Sequence, residues 1–192
     1  MRIVLIGLLA SCASTFALAQ TAPQPRPETI SPLTLTAAPV DTPIAEPAAE
    51  IVGPVTGFPL PRFVSMRATE GNARRGPSRS HRIDWVFTRR NMPMMIVAEH
   101  GHWRRVIDRD GAGGWMHYSL LSGERSAIVE VDMLALHARP DAASHVRAHA
   151  ELGVTGRLRE CQPGWCLMEV EGFRGWVDAN AIWGVDPGEV FD

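Results

Sequence analysis

A pattern near the middle of the chain returns about sixty residues later. That return constrains the architecture more than any other feature. The first copy runs Gly101-His102-Trp103-Arg104-Arg105-Val106, then a turn, then Gly114-Trp115-Met116, and closes on Leu120-Leu121-Ser122-Gly123. The second runs Pro163-Gly164-Trp165-Cys166-Leu167-Met168, then a turn, then Gly175-Trp176-Val177, and closes on Ala181-Ile182-Trp183-Gly184. Upstream, Arg75-Gly76-Pro77 aligns with Ala138-Arg139-Pro140, and the copies lie 61 to 63 positions apart. Such a period is too long for a solenoid unit and suits two small tandem domains.

Each copy reads as a strand, a glycine-containing turn and a second strand that opens with Gly-Trp. From Phe58 onward the apolar residues fall in short runs broken by turn chemistry. Val64 and Met66 alternate with polar neighbours, and Met94 to Ala98 follows the turn Asn91-Met92-Pro93. Asp108 to Gly113 is a hairpin turn in the first copy, and Glu171-Gly172-Phe173-Arg174 is its counterpart in the second. Further strands are expected over Met133 to His137, Val154 to Leu158 and Trp165 to Val170. Asp141 to Leu152 is Ala-, His- and Arg-rich, but reads as loop with a short strand rather than helix. About five short strands in about 60 residues point to a small barrel.

The chain opens with one positive charge, Arg2, then an apolar run too short to span a bilayer. It reaches the small-residue signal Ala17-Leu18-Ala19, so residues 1–19 read as an export signal with Gln20 as the mature start. Leu9-Ala10-Ser11-Cys12 offers a second option, lipoprotein processing with acylation at Cys12. No later segment is apolar enough to span a membrane. Residues 20–57 are rich in Pro, Ala and Thr, with prolines at 23, 25, 27, 32, 39, 43, 47 and 54. Those prolines oppose regular helix or sheet, so this stretch is expected to be a disordered tether.

All 19 basic residues are arginine, and the formal net charge of -2 conceals an asymmetry. Residues 58–126 hold 12 Arg against 6 acidic side chains, whereas residues 127–192 hold 5 Arg against 11. A basic half beside an acidic half implies docking, solvated surface or an anionic partner. Nucleic acid fits poorly with an exported, slightly acidic chain.

The lead-in Leu60-Pro61-Arg62-Phe63-Val64, the loop Asn72-Ala73-Arg74-Arg75-Gly76-Pro77-Ser78, then Trp103-Arg104-Arg105-Val106, Gly114-Trp115 and Leu120 to Gly123 together resemble a bacterial SH3-like (SH3b) domain. The second copy, with Cys161, Trp165-Cys166, Gly175-Trp176 and Ile182-Trp183-Gly184-Val185, resembles the divergent second domain of exported tandem SH3 proteins. It departs at Ala135 to Pro140, which lacks the Asn and the Gly of the first loop. The resemblance implies a small β-barrel that binds peptide or cell-wall material and carries no catalysis. Such domains often target a hydrolase to the wall, and no hydrolase segment is expected before Asp192.

The chemistry-bearing residues admit competing readings. With Cys12 removed, Cys161 and Cys166 remain, and an even pair in an exported protein reads as a disulfide. A nucleophilic Cys166 would need a positioned His and a setting that lowers the thiol pKa, and a strand supplies neither. Shifted by 62 positions, Cys161 falls on Glu99 and Cys166 on Arg104. The disulfide is thus expected where the first copy has an exposed cross-strand ion pair. His100 with His102, and His145 with His149, lack a third ligand at zinc spacing, so no metal site is expected. Trp103, Trp115, Trp165 and Trp176 recur in both copies, which favours a structural, core-forming role. Trp85 has no aromatic counterpart. With Arg74, Arg75, Arg104, His117 and Tyr118 it would form an aromatic and basic groove for an extended anionic peptide. Rim packing is the plainer reading of the same residues. No carboxylate pair stands out for glycoside hydrolysis, and Gly111 to Gly114 lacks the Lys of a phosphate loop.

The chain therefore reads as all-β: two tandem SH3-like barrels, residues 58–126 and 127–192, behind a Pro/Ala-rich tether. The expected role is non-catalytic binding of cell-wall peptide or an envelope protein in the periplasm or cell envelope, without a cofactor. The rival is a scaffold whose domains dock on each other and on an envelope protein without binding wall polymer.

Overall fold

The computed structural model describes residues 51–192; the expected export signal, Cys12 and most of the expected tether lie outside the described residues. Fourteen short strands form two seven-stranded antiparallel sheets. The first sheet contains β1 (Arg62–Met66), β2 (Gly71–Arg74), β3 (Ile83–Phe87), β4 (Pro93–His100), β5 (Trp103–Ile107), β6 (Gly113–His117) and β7 (Leu121–Ser122). The second contains β8 (Ser126–Val129), β9 (Leu134–His137), β10 (Val146–Ala150), β11 (Thr155–Gln162), β12 (Trp165–Val170), β13 (Phe173–Asp178) and β14 (Ile182–Trp183). A single 3-10 turn precedes the last strand of each sheet, at Tyr118–Leu120 and Ala179–Ala181.

The strand orders are β3-β2-β6-β5-β4-β1-β7 and β10-β9-β13-β12-β11-β8-β14, so every pairing in one sheet has its partner in the other. The sequence repeat is a repeat of topology. Asp141 to Leu152 is loop followed by β10, and both expected hairpin turns lie where turn chemistry put them. The β12–β13 turn consists of Glu171 and Gly172, both with positive φ (48° and 88°), the conformation that matches the twist of a two-residue hairpin. The Gly-Trp signature has a packing cause. A side chain at Gly114 would stand 2.6 Å from the Arg74 carbonyl oxygen, and one at Gly175 would stand 2.6 Å from Leu136 Cβ. Glycine lets β2 and β9 cross closely over β6 and β13.

Methionines fill much of the interior. Met66, Met94 and Met116 are fully buried in the first barrel, with Ala73, Phe87, Ile96, Val106 and Leu121 around them. Val129, Leu136, Leu158, Met168, Val177 and Ile182 pack around the Cys161–Cys166 disulfide in the second. The repeated tryptophans do not form these cores, which corrects the expectation. Trp103, Trp115, Trp165 and Trp176 are only half-buried, while their chain neighbours Arg104, Met116, Cys166 and Val177 point inward. Strand alternation sends adjacent residues to opposite faces, and the core face took the neighbours.

A bulge controls which side chains enter the barrel. The β4–β5 register slips between Ile96 and Ala98, and the β11–β12 register slips between Leu158 and Glu160. Met94 and Ile96 face inward before the first slip, and Glu99 faces inward after it. Leu158 and then Cys161 repeat the exchange. An extra residue in a strand reverses the phase of its alternation. The Glu99–Arg104 pair is consequently buried, not exposed as the sequence suggested.

Residues 51–57, read from sequence as the end of the tether, are folded. Val52 bridges to Pro59, Gly53 N–H donates to the Phe58 carbonyl at 2.8 Å, and Leu60 N–H to the Ile51 carbonyl at 2.7 Å. The Glu99 carboxylate holds the turn, accepting from Val55 N–H (3.1 Å), Thr56 N–H (2.9 Å) and Thr56 Oγ1 (2.8 Å).

The barrels dock on each other. Only three residues separate β7 from β8. Phe63 of β1 meets Trp183 of β14 edge-to-face, with ring centroids 5.1 Å apart. Arg125, in the connection, lies over the rings of both Phe63 and Phe191. Its guanidinium pairs with Glu189 and donates to the Gly184 carbonyl at 2.8 Å.

Candidate functional site

Aromatic and basic side chains gather on the first barrel, where the ends of β2, β5 and β6 meet the 3-10 turn. A hollow of about 220 Å³ is lined there by Asn72, Arg74, Arg79, Trp103, His117 and Leu120. Arg74 pairs in register with Trp115, so β2 carries its guanidinium to this edge. One of its nitrogens donates to the His81 carbonyl at 2.7 Å, which ties the residue to the β2–β3 hairpin. Trp103 and His117 are register partners on β5 and β6, and their rings meet edge-to-face at 5.7 Å. Tyr118 flanks His117 at 4.9 Å and His102 at 5.7 Å between centroids.

His117 also caps the 3-10 turn. Its Nδ1 accepts from the Ser119 backbone N–H at 3.3 Å and lies 2.7 Å from Ser119 Oγ. In the neutral ring this acceptor role leaves the proton on Nε2. Burial pushes the imidazole below its ordinary pKa, and the nearby His102, Arg79 and Arg104 charges push the same way. The hollow thus combines two guanidinium groups, an indole edge and a neutral imidazole. Such a set can hold a carboxylate against arginine while an apolar or peptide segment rests on the rings.

The structure separates the six groove residues named from sequence. Arg74, His117 and Tyr118 come together, and the sequence missed Arg79, Trp103 and Asn72 as their companions. Trp103 was obscured because its repetition suggested core. Arg75 lies outside the hollow, paired with Asp84 at 3.1 Å beside Arg82, which reaches the same carboxylate at 2.6 Å. Trp85 is 48% exposed on the edge strand β3 and lines a different hollow, with Phe87, Arg89, Met92 and Ile128. Arg104 is withdrawn into the barrel. It donates to the carbonyls of Gly101 (2.9 Å) and Trp103 (3.0 Å) and lies 3.3 Å from Glu99 Oε1, so its donors face structural partners.

The second barrel keeps the frame but not the chemistry. His137 takes the place of Arg74 opposite Trp176. Asp178 takes the place of His117, capping its 3-10 turn by accepting from Asn180 N–H at 2.8 Å. Ala179 follows where Tyr118 stands in the first copy. Trp165 keeps an edge-to-face imidazole, now His137, at 5.6 Å. Cys161 and Cys166 are disulfide-bonded and supply no thiol. Among the described residues no three His, Cys, Asp or Glu side chains gather at metal-binding distance.

Two small sheets of identical strand order, each with a terminal 3-10 turn, define a tandem module of SH3-like type. The bacterial SH3 domain family matches residues 67–123 and again residues 130–184, and the chain belongs to that family, whose domains are binding modules. No curated protein matches the chain. Among solved structures, similarity is found to NlpC2 from Trichomonas vaginalis at 11% identity, covering 64% of this chain and 48% of that one, with a TM-score of 0.31. NlpC1 from the same organism matches at 9% identity, covering 68% and 48%, also with a TM-score of 0.31. The chain thus spans about half the length of these proteins.

Proposed function

We propose that this chain is an exported, non-catalytic binding module whose first barrel holds a carboxylate-bearing peptide of the cell wall or of an envelope protein. The observation that supports this most is that Arg74, Arg79, Trp103 and His117 line one hollow. Arginine supplies a planar fork for a carboxylate, and the rings supply apolar area at low entropic cost. The signal-like residues 1–19 and the envelope setting of such domains support a periplasmic or surface location. Among the described residues, no helix is long and apolar enough to cross a membrane. The second barrel then acts as a partner fold that positions the first, because Asp178 and Ala179 replace its ligand groups.

The scaffolding reading draws on a different observation, the docking of the barrels through Phe63, Trp183 and Arg125. Co-sedimentation of the mature chain with purified peptidoglycan separates the two. Sedimentation with the wall polymer that Arg74→Ala abolishes supports the binding module. Protein that stays in the supernatant supports the scaffold.

A further inference from the structure

A cleft lies between the barrels, away from the hollow just described. The cleft encloses about 870 Å³ and takes its walls from both sheets. Arg89 and Arg90 enter it from the β3–β4 connection of the first barrel, and Arg157 enters it from β11 of the second. We infer that this cleft is a binding site for a ligand carrying several oxyanion groups, phosphate or carboxylate, gripped jointly by Arg89, Arg90 and Arg157.

The three arginines have donor capacity to spare. Arg90 is exposed and has no ion-pair partner among the described residues. Arg157 has one, Glu124, at 3.3 Å and itself 56% exposed. Arg89 reaches across the joint only through one nitrogen, at 3.4 Å from both the Gly153 carbonyl and Thr155 Oγ1. Each guanidinium carries five N–H donors, so most remain for a ligand. The wall that carries Arg157 also holds Glu169, its register partner on β12, and Glu171. Glu169 is already engaged by Arg159 at 2.9 Å and Arg174 at 3.1 Å, which leaves Glu171 as the one acid of that wall without such a pair. The cleft is therefore basic although it is half built from the acidic barrel.

The arrangement is also held in place before a ligand arrives. The loop that presents Arg89 and Arg90 ends at Asn91, which has a φ of 59° and donates its N–H to the Met66 carbonyl at 2.8 Å. The barrel–barrel angle is fixed by the three-residue connection and by the Phe63–Trp183 contact. A backbone already held in place loses less entropy on binding than one that must first be ordered. The site exists only while both barrels are docked, which gives the tandem arrangement a use that neither barrel has alone.

The test is calorimetric titration of the mature chain with two probes, linear tripolyphosphate and citrate. Binding of either supports the site, and the probe preferred shows whether phosphate or carboxylate is the group recognised. Arg90→Gln/Arg157→Gln should weaken that binding by roughly tenfold or more, the scale of lost hydrogen bonds to a charged group. The control Arg75→Gln/Arg82→Gln removes two exposed arginines that share Asp84 at the β2–β3 hairpin, the opposite end of β3 from Arg89, and should change affinity by less than about twofold. Absence of heat with both probes overturns the proposal, as does equal weakening in the two double variants.

Discussion

Glu99 stands in the first barrel where Cys161 stands in the second. Glu99 pairs in register with Arg104, and Cys161 with Cys166, on the inner face of the same strand pair after the same bulge. Each also anchors a chain terminus of the folded region. Glu99 holds the turn at residues 55 and 56, and the backbone of Cys161 exchanges two hydrogen bonds with Phe191, at 2.8 and 3.0 Å. One structural position is thus closed by electrostatics in one domain and by a covalent bond in the other.

Replacing Glu99 with Ala should be among the most damaging changes in the first barrel. Its side chain is fully buried, and its loss strands Arg62, 2.5 Å away, and Arg104 without their counter-charge. Breaking such a buried pair costs about 3–5 kcal/mol. Urea denaturation should show that loss, and limited proteolysis should find new cleavage between residues 51 and 60.

The same carboxylate makes the first barrel acid-sensitive. Burial alone would raise the Glu99 pKa, but hydrogen bonds from Arg62, Thr56 and Val55 prevail and hold it at about 2. A depressed folded-state pKa gives stability that is full above the unfolded value and lost as pH falls through the folded one. The first barrel should therefore weaken between about pH 5 and pH 2, by up to about 3 kcal/mol. Glu99→Gln should flatten that part of the stability profile. An unchanged slope would remove Glu99 from the account.

Loss of the disulfide should act on the other barrel. Cys161 and Cys166 close a short loop, a constraint worth roughly 2 kcal/mol in the chain-entropy model. Cys161→Ala/Cys166→Ala should lower the unfolding midpoint of the second barrel and leave that of the first in place. Thiol titration of the unfolded, non-reduced chain from Gln20 onward, which lacks Cys12, should find no free thiol.

Met116→Ala should cost more stability than Trp115→Ala, against the usual ranking of side-chain size. Met116 is fully buried and its removal leaves a cavity, at about 2–5 kcal/mol. Trp115 lies half-buried on the outer face, edge-on to His100 at 6.5 Å. Thermal melts of the two variants decide the order, and a larger loss for Trp115→Ala would return the repeated tryptophans to the core.

Much of the architecture was legible because it is locally encoded. Gly-Trp marks the strand that must be crossed closely, and turn residues at Asp108 to Gly113 and at Glu171-Gly172 set the hairpins. The spacing of Cys161 and Cys166 across a turn placed them as register partners. What was hidden depends on phase and on distant contacts. No residue type announces the bulges at Val97 and Arg159, yet they turn Glu99 inward and draw Arg104 after it, which removed Arg104 from the groove. Residues 51–57 look like tether because Pro54 and Gly53 dominate them. Their order comes from a carboxylate more than forty positions away. Trp85 and Arg74 are neighbours in sequence pattern, but β3 is an edge strand that carries the indole to another face.

The central claim is that the first-barrel hollow is where peptide binds. Titration of soluble, carboxylate-bearing cell-wall peptides into the isotope-labelled mature chain, followed by chemical shift, tests it directly. The account predicts shifts centred on the Trp103 indole N–H, Arg74, Arg79 and the His117 ring, with the second-barrel counterparts Trp165 and Asp178 unmoved. Shifts centred instead on Trp85 or on the second barrel, or no shifts at saturating peptide, would contradict it.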